Sequence, residues 1–272
     1  MTTTKVSLAK RRRPEGAEGS DKKQKNMNLL IDIGNTAAKI AVSENNEIVF
    51  RETVSQVTDE VLDRLLSDNP LIDKAIVAST GRDGDRVFGM VSGRVGYALR
   101  LEATTPVPIA NGYGSPETLG VDRLAAAVGA QSLYGRRNML IVDFGTAVTV
   151  DLVTDGVFRG GNISLGVGAR FRALHEYTSS LPLCGPTDEE QEFGTTTRTA
   201  VEQGVMTGLA YEIEGYIADF GARYENLCTI FTGGDAIFFV KRIKNTIFAN
   251  RDLTLVGLNG ILEYNAKIRN HK

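Results

Sequence analysis

The chain has 272 residues, 42% of them hydrophobic and 24% charged, which leaves room for two domains of ordinary size with a core in each. No apolar run reaches the roughly 18 residues that a membrane-spanning helix needs, so we expect no membrane partner. Two cysteines and two histidines without motif spacing exclude a Cys/His structural zinc site and favour a reducing, cytoplasmic setting.

Residues 1–26 differ in composition from the rest of the chain. They hold eight lysines or arginines against three acidic residues, a net charge of +5, and no aromatic residue. So little apolar surface predicts a disordered basic tail, and it lacks the apolar segment of a signal peptide. Lys10 to Arg13 is also compatible with a nuclear-import or nucleic-acid patch. Since the rest of the chain carries −7, nucleic acid is not expected to be its main partner.

The first predicted element after the tail is a β-hairpin. Residues 28–33 are rich in Leu and Ile, Gly34-Asn35 favours a turn, and residues 39–42 return as a second strand. Such a turn directs backbone N–H groups and the Thr36 hydroxyl toward one point, where they can hold a phosphate oxygen. Asp32 adds a carboxylate for a metal ion or a metal-bound water beside that phosphate. An Asp-x-Gly-x-Thr pattern by itself is equally typical of an ordinary tight hairpin.

Further strands and helices alternate along the rest of the first half. Strand formers and helical spacing predict strands over 47–53, 74–79 and 97–101 and helices over 58–66 and 86–91. The second half repeats this order, with strands over 139–143, 147–153, 157–163 and 228–231 and helices between and after them. One α/β fold is therefore predicted to occur twice in the chain.

The phosphate hairpin is repeated as well. Residues 138–153 contain a second apolar strand, an Asp-x-Gly-Thr turn and a β-branched strand, with Asp143 placed 111 residues after Asp32. Phe231 to Asp235 adds a third glycine-rich turn. This ordered set resembles the sugar-kinase, chaperone-ATPase and actin superfamily. The resemblance implies duplicated actin-like (ribonuclease H-like) domains with an ATP cleft between them, over residues 27–136 and 137–272.

A loop and an Ala-rich helix join the two halves. Gly112, Gly114 and Pro116 predict the loop, and residues 124–134 predict the helix. Asp122 and Arg123 fall near their junction, a position where functional residues often concentrate. The alternative interpretation is that Asp122 complements the helix dipole and Arg123 is a surface charge.

The combined motifs resemble one family within that superfamily, the type III pantothenate kinases. The motifs are the Asp-x-Gly-Asn-Thr start, Tyr113, Gly120-Val-Asp-Arg123, Gly160-Gly161 and Gly194-x-x-Thr197, and the match runs from about Met27 to the C-terminal helix. The resemblance implies ATP-dependent phosphorylation of pantothenate to 4'-phosphopantothenate, the first step of coenzyme A synthesis. It also implies a homodimer in the cytoplasm, with each pantothenate pocket receiving Thr197 from the neighbouring subunit.

The resemblance also implies roles for individual residues. The first ATP-phosphate loop corresponds to Asp32, Ile33, Gly34, Asn35, Thr36, Ala37, Ala38 and Lys39, and the second to Thr146. The pantothenate contacts correspond to Tyr113, Gly120, Val121, Asp122, Arg123 and Thr197. Asp122 is the implied catalytic base, and Asp143 the implied ligand of an activating K⁺ or NH₄⁺ ion, used together with Mg²⁺. From charge alone, we expect the Arg123 guanidinium to form a bidentate contact with the substrate carboxylate.

One position departs from the family pattern. Gly160 to Gly166 carries Leu165 where the family usually has proline, so the sequence does not fix φ there and the rigidity of the turn is open.

Other candidate residues favour structural roles. His175 is predicted to be a helix-face residue and Cys184 an ordinary thiol, because neither belongs to a catalytic motif. The apolar stripe of Val201, Val205, Leu209, Ile213 and Ile217 predicts either core or a subunit interface.

Three other functions remain compatible with the superfamily. They are another small-molecule kinase, such as a sugar or acetate kinase; a non-catalytic kinase relative acting as a regulator; and an actin-like or chaperone-like ATPase. The short chain and Gly120 to Arg123 disfavour the first, the presence of Asp32, Asp122 and Asp143 disfavours the second, and the absence of a peptide-binding module disfavours the third.

Overall fold

The computed structural model describes residues 27–81 and 83–271. The predicted disordered tail and its basic run lie outside the described residues and stay predictions. Within the described ranges, none of the helices combines the length and apolarity that crossing a membrane requires.

The first half contains a five-stranded sheet in the order β3-β2-β1-β4-β5. Its strands are β1 (Met27–Ile33), β2 (Ala38–Glu44), β3 (Glu47–Val54), β4 (Ile72–Ser79) and β5 (Tyr97–Arg100). The second half contains a six-stranded sheet in the order β11-β10-β7-β8-β9-β6. Its strands are β6 (Ala110–Asn111), β7 (Met139–Phe144), β8 (Ala147–Thr154), β9 (Val157–Leu165), β10 (Cys228–Thr232) and β11 (Phe248–Ala249).

Seven α-helices accompany the sheets in the described ranges. They are α1 (Asp59–Asp68), α2 (Gly84–Ser92), α3 (Val121–Tyr134), α4 (Val167–Glu176), α5 (Thr197–Arg223), α6 (Ala236–Val240) and α7 (Leu253–Asn270). A short 3-10 turn over Pro116–Thr118 precedes α3. The helix α5 begins with a capping box in which Thr196 and Thr199 satisfy each other's backbone N–H groups.

The duplication predicted from the sequence is confirmed by the strand pairing. In the first sheet β1 pairs antiparallel with β2 and parallel with β4. In the second sheet β7 pairs antiparallel with β8 and parallel with β10 in the same way. The two phosphate hairpins are therefore β1–β2 and β7–β8. The sequence did not predict the two-residue edge strands β6 and β11, which are too short to give a periodic signal.

Helices α3 and α7 join the two halves. One buried cluster contains residues of α3 and α7 together with Leu30 and Ile76 of the first sheet and Ile141 and Ile230 of the second. Although the proposed boundary near residue 136 separates the halves in sequence, β6 pairs with β9 and α7 packs on β1 and β4. The two sheets thus share a hydrophobic core, and this core fixes where their hairpins point.

The crossing of α3 and α7 brings the two backbones into direct contact. A side chain at Gly257 would overlap the carbonyl oxygen of Ala125, and one at Gly129 would overlap the carbonyl of Leu253. Glycine is required at both positions because it alone leaves room for this approach. The Asp122 and Arg123 side chains sit in the first turn of α3, so the crossing also sets their position.

Candidate active site

The turns of the two hairpins face each other. Each turn is closed by a similar bond, from the Gly34 N–H to the Ala37 carbonyl and from the Gly145 N–H to the Ala147 carbonyl, both 3.1 Å long. The Thr36 and Thr146 hydroxyl oxygens lie 3.5 Å apart, although 110 positions separate them in sequence. Both turns are accessible to solvent at these threonines. The structure therefore brings the two predicted phosphate loops to opposite sides of one cleft.

Two aspartates, of which Asp32 is buried and Asp143 is partly buried, stand at equivalent positions near the ends of the first strands of the two hairpins. Asp32 is directly opposite Lys39 across β1 and β2, and Asp143 is opposite Thr149 across β7 and β8. Burial raises the pKa of Asp32 to about 6, with the charge of Lys39 opposing the rise and that of Asp122 adding to it. Burial likewise raises the pKa of Asp143 to about 6, again opposed by Lys39 and increased by Asp122 and Asp32. These three carboxyls are thus close enough to repel one another.

We predict that Asp32→Asn raises the melting temperature of the ligand-free protein more near pH 7.5 than near pH 5. The Asp32 pKa is about 6 in the folded protein and 3.8 for an unperturbed aspartate, so the folded state binds the proton more tightly. Above pH ~6 ionisation costs the folded state on the order of 3 kcal/mol, and this cost disappears as the pH falls from about 6 through 3.8. Asparagine removes the cost because it does not ionise.

Thermal unfolding of both proteins at the two pH values measures this effect. Asp68→Asn, at the exposed end of α1, is the matched control and should give no such difference. An equal change for Asp32→Asn at both pH values would contradict the prediction.

The third glycine turn packs against the second hairpin. Gly233 has a φ of +91°, and a side chain there would overlap the Asp143 carboxylate and the Phe144 backbone. A side chain at Gly166 would overlap the carbonyl groups of Gly145 and Thr146. Gly233 and Gly166 therefore pack against the second phosphate turn from two sides, at distances that no residue with a side chain would allow.

Leu165 stands where the family usually has proline, and other interactions hold the backbone there. Leu165 is the last residue of β9 and pairs with Ala147, and its carbonyl accepts a 2.8 Å hydrogen bond from Arg170 Nε. The next residue, Gly166, donates its N–H to the Thr146 carbonyl at 3.2 Å. Strand pairing and these two bonds define the backbone here, so the turn is held without a proline ring.

A cavity of about 240 Å³ opens between the halves, beside the third glycine turn. Its lining residues are Lys39, Arg51, Glu52 and Thr53 from the first half and Gly233, Gly234, Arg251, Asp252 and Leu255 from the second. Arg51 Nη1 and Asp252 Oδ2 lie 2.5 Å apart and connect the two walls. Sequence analysis missed Arg51, Arg251 and Asp252, because isolated charged residues outside a motif look like ordinary surface residues.

Asp122 lies in the first turn of α3, at the predicted loop–helix junction. Its Oδ1 accepts the Arg123 N–H at 2.9 Å, so it does complement the helix N-terminus. A side chain at Gly120 would lie 2.5 Å from this same oxygen. Glycine at position 120 therefore leaves room for the Asp122 carboxylate, which is partly exposed and whose charge raises the pKa of both Asp32 and Asp143.

Arg123 is not a surface charge, so that alternative interpretation is wrong. The residue is 6% exposed, and its Nε and Nη2 atoms donate to Asp151 at 3.0 and 2.5 Å. Burial lowers the pKa of Arg123, but the hydrogen bonds and charge of Asp151 outweigh this effect and leave the pKa raised. The bidentate contact expected for a substrate is thus made with Asp151 through one edge of the guanidinium. Sequence analysis missed Asp151, whose signal was a carboxylate inside an apolar strand.

Aromatic rings enclose this ion pair. The Arg123 guanidinium carbon lies 5.5 Å from the Tyr113 ring centre and 5.8 Å from the Phe158 ring centre, a range in which cation–π attraction contributes. The backbone N–H of Tyr113 donates to Asn111 Oδ1 at 3.0 Å, and this bond holds the loop backbone that carries the ring. Three residues of the predicted pantothenate set, Tyr113, Asp122 and Arg123, therefore lie together.

Thr197 lines a different surface. It is exposed on the first turn of α5, along a groove of about 850 Å³ between α4 and α5. The other lining residues are Leu165, Arg170, Ala173, Leu174, Tyr177, Thr178, Leu181, Ala200, Val201, Gly204 and Val205. All five residues of the predicted apolar stripe are buried in the second-half core. Val201 and Val205, at its N-terminal end, also border the groove.

The structural interpretation of His175 and Cys184 fits what the structure shows. His175 lies exposed in the last turn of α4, with Nδ1 2.8 Å from the Leu181 carbonyl. Cys184 is a buried free thiol. Within residues 27–81 and 83–271, no three His, Cys, Asp or Glu side chains are grouped to hold a metal by themselves.

Sequence comparison places this geometry among known proteins. The sequence pattern of the type III pantothenate kinase family matches residues 28–219. A type III pantothenate kinase of Phocaeicola vulgatus is 40% identical over 243 residues, which cover 89% of this chain and 100% of that protein. One of Flavobacterium psychrophilum is 38% identical over 240 residues, covering 88% of this chain and 99% of that protein.

Solved structures share the fold at much lower identity. A Campylobacter jejuni protein described as a Baf family transcriptional activator superposes with a TM-score of 0.60 at 20% identity, covering 88% of this chain and 99% of that one. A Sinorhizobium meliloti protein described as a 2-dehydro-3-deoxygalactonokinase gives 0.57 at 13% identity, covering 88% and 98%. The duplicated actin-like fold expected from the two hairpins is confirmed.

Proposed function

Because the chain belongs to the type III pantothenate kinase family, we propose that it transfers the γ-phosphoryl group of ATP to the primary hydroxyl of pantothenate, giving 4'-phosphopantothenate. The single observation that carries this proposal onto the chain's own residues is the approach of Thr36 to Thr146 across the cleft, with Asp122 interacting with Asp32 and Asp143 beside them. Phosphoryl transfer depends on positioning and charge neutralisation, which such a cleft provides.

The two hairpins have the task of holding the phosphates. Backbone N–H groups over 35–37 and the Thr36 and Thr146 hydroxyls supply donors from both sides, and Lys39 supplies a positive charge. The adjoining cavity, with its Gly233-Gly234 wall, accommodates the nucleoside part of ATP. Because its walls come from both halves, bound ATP lies across the interface between them.

The acceptor pocket lies at the start of α3. Tyr113, Gly120, Val121 and Arg123 surround the pantothenate, whose carboxylate needs a cation. Arg123 provides the nearby positive charge, through the edge of its guanidinium that Asp151 does not use. Asp122 accepts the proton of the attacking hydroxyl as the new P–O bond forms.

The donor set also fits the ions that such a reaction uses. Asp32 and Asp143 are hard oxygen ligands whose ionisation is disfavoured by burial, and a bound cation would favour their charged forms. A divalent ion of the Mg²⁺ type accepts one or two carboxylates and completes its shell with phosphates and water. We assign Asp32 to this region and Asp143 to a K⁺ or NH₄⁺ ion. When bound, these ions neutralise charge on the triphosphate.

The function is tested by ADP release from the purified protein with ATP and either pantothenate or a panel of sugars and organic acids. We expect release with pantothenate alone, and a loss of roughly 10²-fold or more in turnover for Asp122→Asn, the usual scale for a positioned general base. Asp59→Asn, the same change in the first turn of α1, is the control and should keep normal turnover. Near-normal turnover of folded Asp122→Asn would remove the base assignment, and release with a sugar instead would replace the substrate.

The monovalent ion gives a second test. We expect faster turnover in potassium or ammonium than in sodium at matched ionic strength, because Asp143 and nearby carbonyl groups form an oxygen site for the larger ion. Asp143→Asn should reduce that difference. Equal rates in sodium and potassium would contradict the assignment of Asp143.

We also propose a homodimer in the cytoplasm, formed through the groove between α4 and α5. The proposed occupant is a second copy, because the groove has apolar walls, exposed Tyr177 and Leu165 at its edges and Thr197 on its rim. A twofold contact there would bring each Thr197 toward the partner's acceptor pocket.

Subunit exchange tests the shared pocket. Asp122→Asn and Thr197→Tyr subunits are each expected to be inactive alone and to regain activity when mixed, since one of the two sites in a heterodimer then has both native residues. The measurement is turnover before and after exchange, with exchange verified by native mass spectrometry. No recovery, or a fully active monomer in solution, would overturn the shared site and leave the kinase assignment intact.

A further inference from the structure

Asp151 is a buried carboxylate that none of the proposed catalytic steps uses. It is 1% exposed and lies in the middle of β8, within a run of buried residues over 150–154, where an unpaired charge would be costly. Its two oxygens accept Arg123 Nε at 3.0 and 3.2 Å and Nη2 at 2.5 Å, and the Thr149 hydroxyl donates to Oδ2 at 3.2 Å. These bonds fix the plane of the guanidinium.

The bonds to Asp151 use Nε and Nη2 of the guanidinium. Arg123 Nη1 makes no hydrogen bond to Asp151, and the Tyr113 side chain is a further hydrogen-bond partner of the guanidinium. Asp151 therefore occupies the Nε/Nη2 edge of the Arg123 guanidinium and leaves Nη1 outside this ion pair.

The neighbouring glycines make room for this arrangement. A side chain at Gly161 would overlap the Asp151 carboxylate and the Val150 carbonyl. Gly160 has a φ of +121°, and a Cβ there would lie 3.3 Å from the Tyr113 ring. The Gly160-Gly161 pair thus allows β9 to pass close to the ion pair and the ring that covers it.

We propose that Asp151 is a positioning residue that holds the Arg123 guanidinium with Nη1 directed to the acceptor pocket, and so determines affinity for an acceptor that carries a carboxylate. The proposal rests on the proposed function. Two effects of Asp151 oppose each other: its negative charge weakens the attraction of Arg123 for an anion, and its bonds orient the donor. Orientation should dominate, since a displacement of about 1 Å in a substrate-positioning group can cost roughly 10²-fold.

The test measures the KM for pantothenate and for ATP, together with kcat, in wild-type protein and in Asp151→Asn. We expect the pantothenate KM to rise about 10-fold or more and the ATP KM to stay within about twofold. Glu263→Gln is the matched control, because it also removes a partly buried carboxylate from a cation, Lys74, but lies on α7 away from the pocket. It should lower the melting temperature without changing the ratio of the two KM values.

Three further variants keep the proposal falsifiable. If Asp151→Asn does not fold, Thr149→Val removes one of the bonds that hold the carboxylate and should raise the pantothenate KM by about two- to threefold. Arg123→Lys and the double variant Arg123→Lys/Asp151→Asn complete a cycle. If Asp151 acts through Arg123, the double variant should be no worse than Arg123→Lys alone.

The outcomes distinguish a failure of the proposed function from a failure of the role proposed for Asp151. A wild-type protein without pantothenate-dependent ADP release would overturn the proposed function and this inference with it. With an active wild type, the inference alone is overturned by an unchanged or lower pantothenate KM in the variants, by parallel changes in both KM values, or by additive effects in the cycle.

Discussion

The contact of two backbones at Gly129 and Gly257 is the constraint on which the rest of the structure depends. Helix α3 carries Asp122 at its start, and α7 packs on β1 and β4 of the opposite half. Because the helices touch without side chains between them, the distance between the halves is set by backbone atoms that cannot adjust. The same crossing therefore fixes the gap between the phosphate turns and the position of Asp122 beside them.

The arrangement fixed by this helix crossing places three carboxyl groups close together. Asp32, Asp122 and Asp143 come from β1, α3 and β7, and their mutual repulsion adds to desolvation in raising the pKa of Asp32 and Asp143. A folded protein tolerates such an arrangement where it serves a function, since hydrophobic burial elsewhere stabilises it. We propose that bound cations relieve this cost, so that the destabilised ligand-free cleft and an affinity for metal-bound ATP would have one physical origin.

The parts predicted from sequence were those with local or repeated signals. Both hairpins, the repeated α/β order and the junction at Asp122 follow from turn residues, apolar alternation and a spacing of 111 positions. The missed residues act through long-range pairing. Asp151 meets Arg123 from 28 positions away, and Arg51 meets Asp252 from 201 positions away. No local pattern encodes such a partner, although a carboxylate within an apolar strand does indicate that one exists.

The two hairpins share a backbone fold but differ in the charged residues that they carry. Across the first hairpin the partner of Asp32 is Lys39, whereas across the second the partner of Asp143 is Thr149. Lys39 lowers the pKa of both carboxyls, so one side-chain cation serves two phosphate turns. The second turn thus pairs its aspartate with a neutral threonine instead of a lysine. This asymmetry is the physical reason for which we propose a monovalent cation at Asp143 and a divalent cation on the side of Asp32.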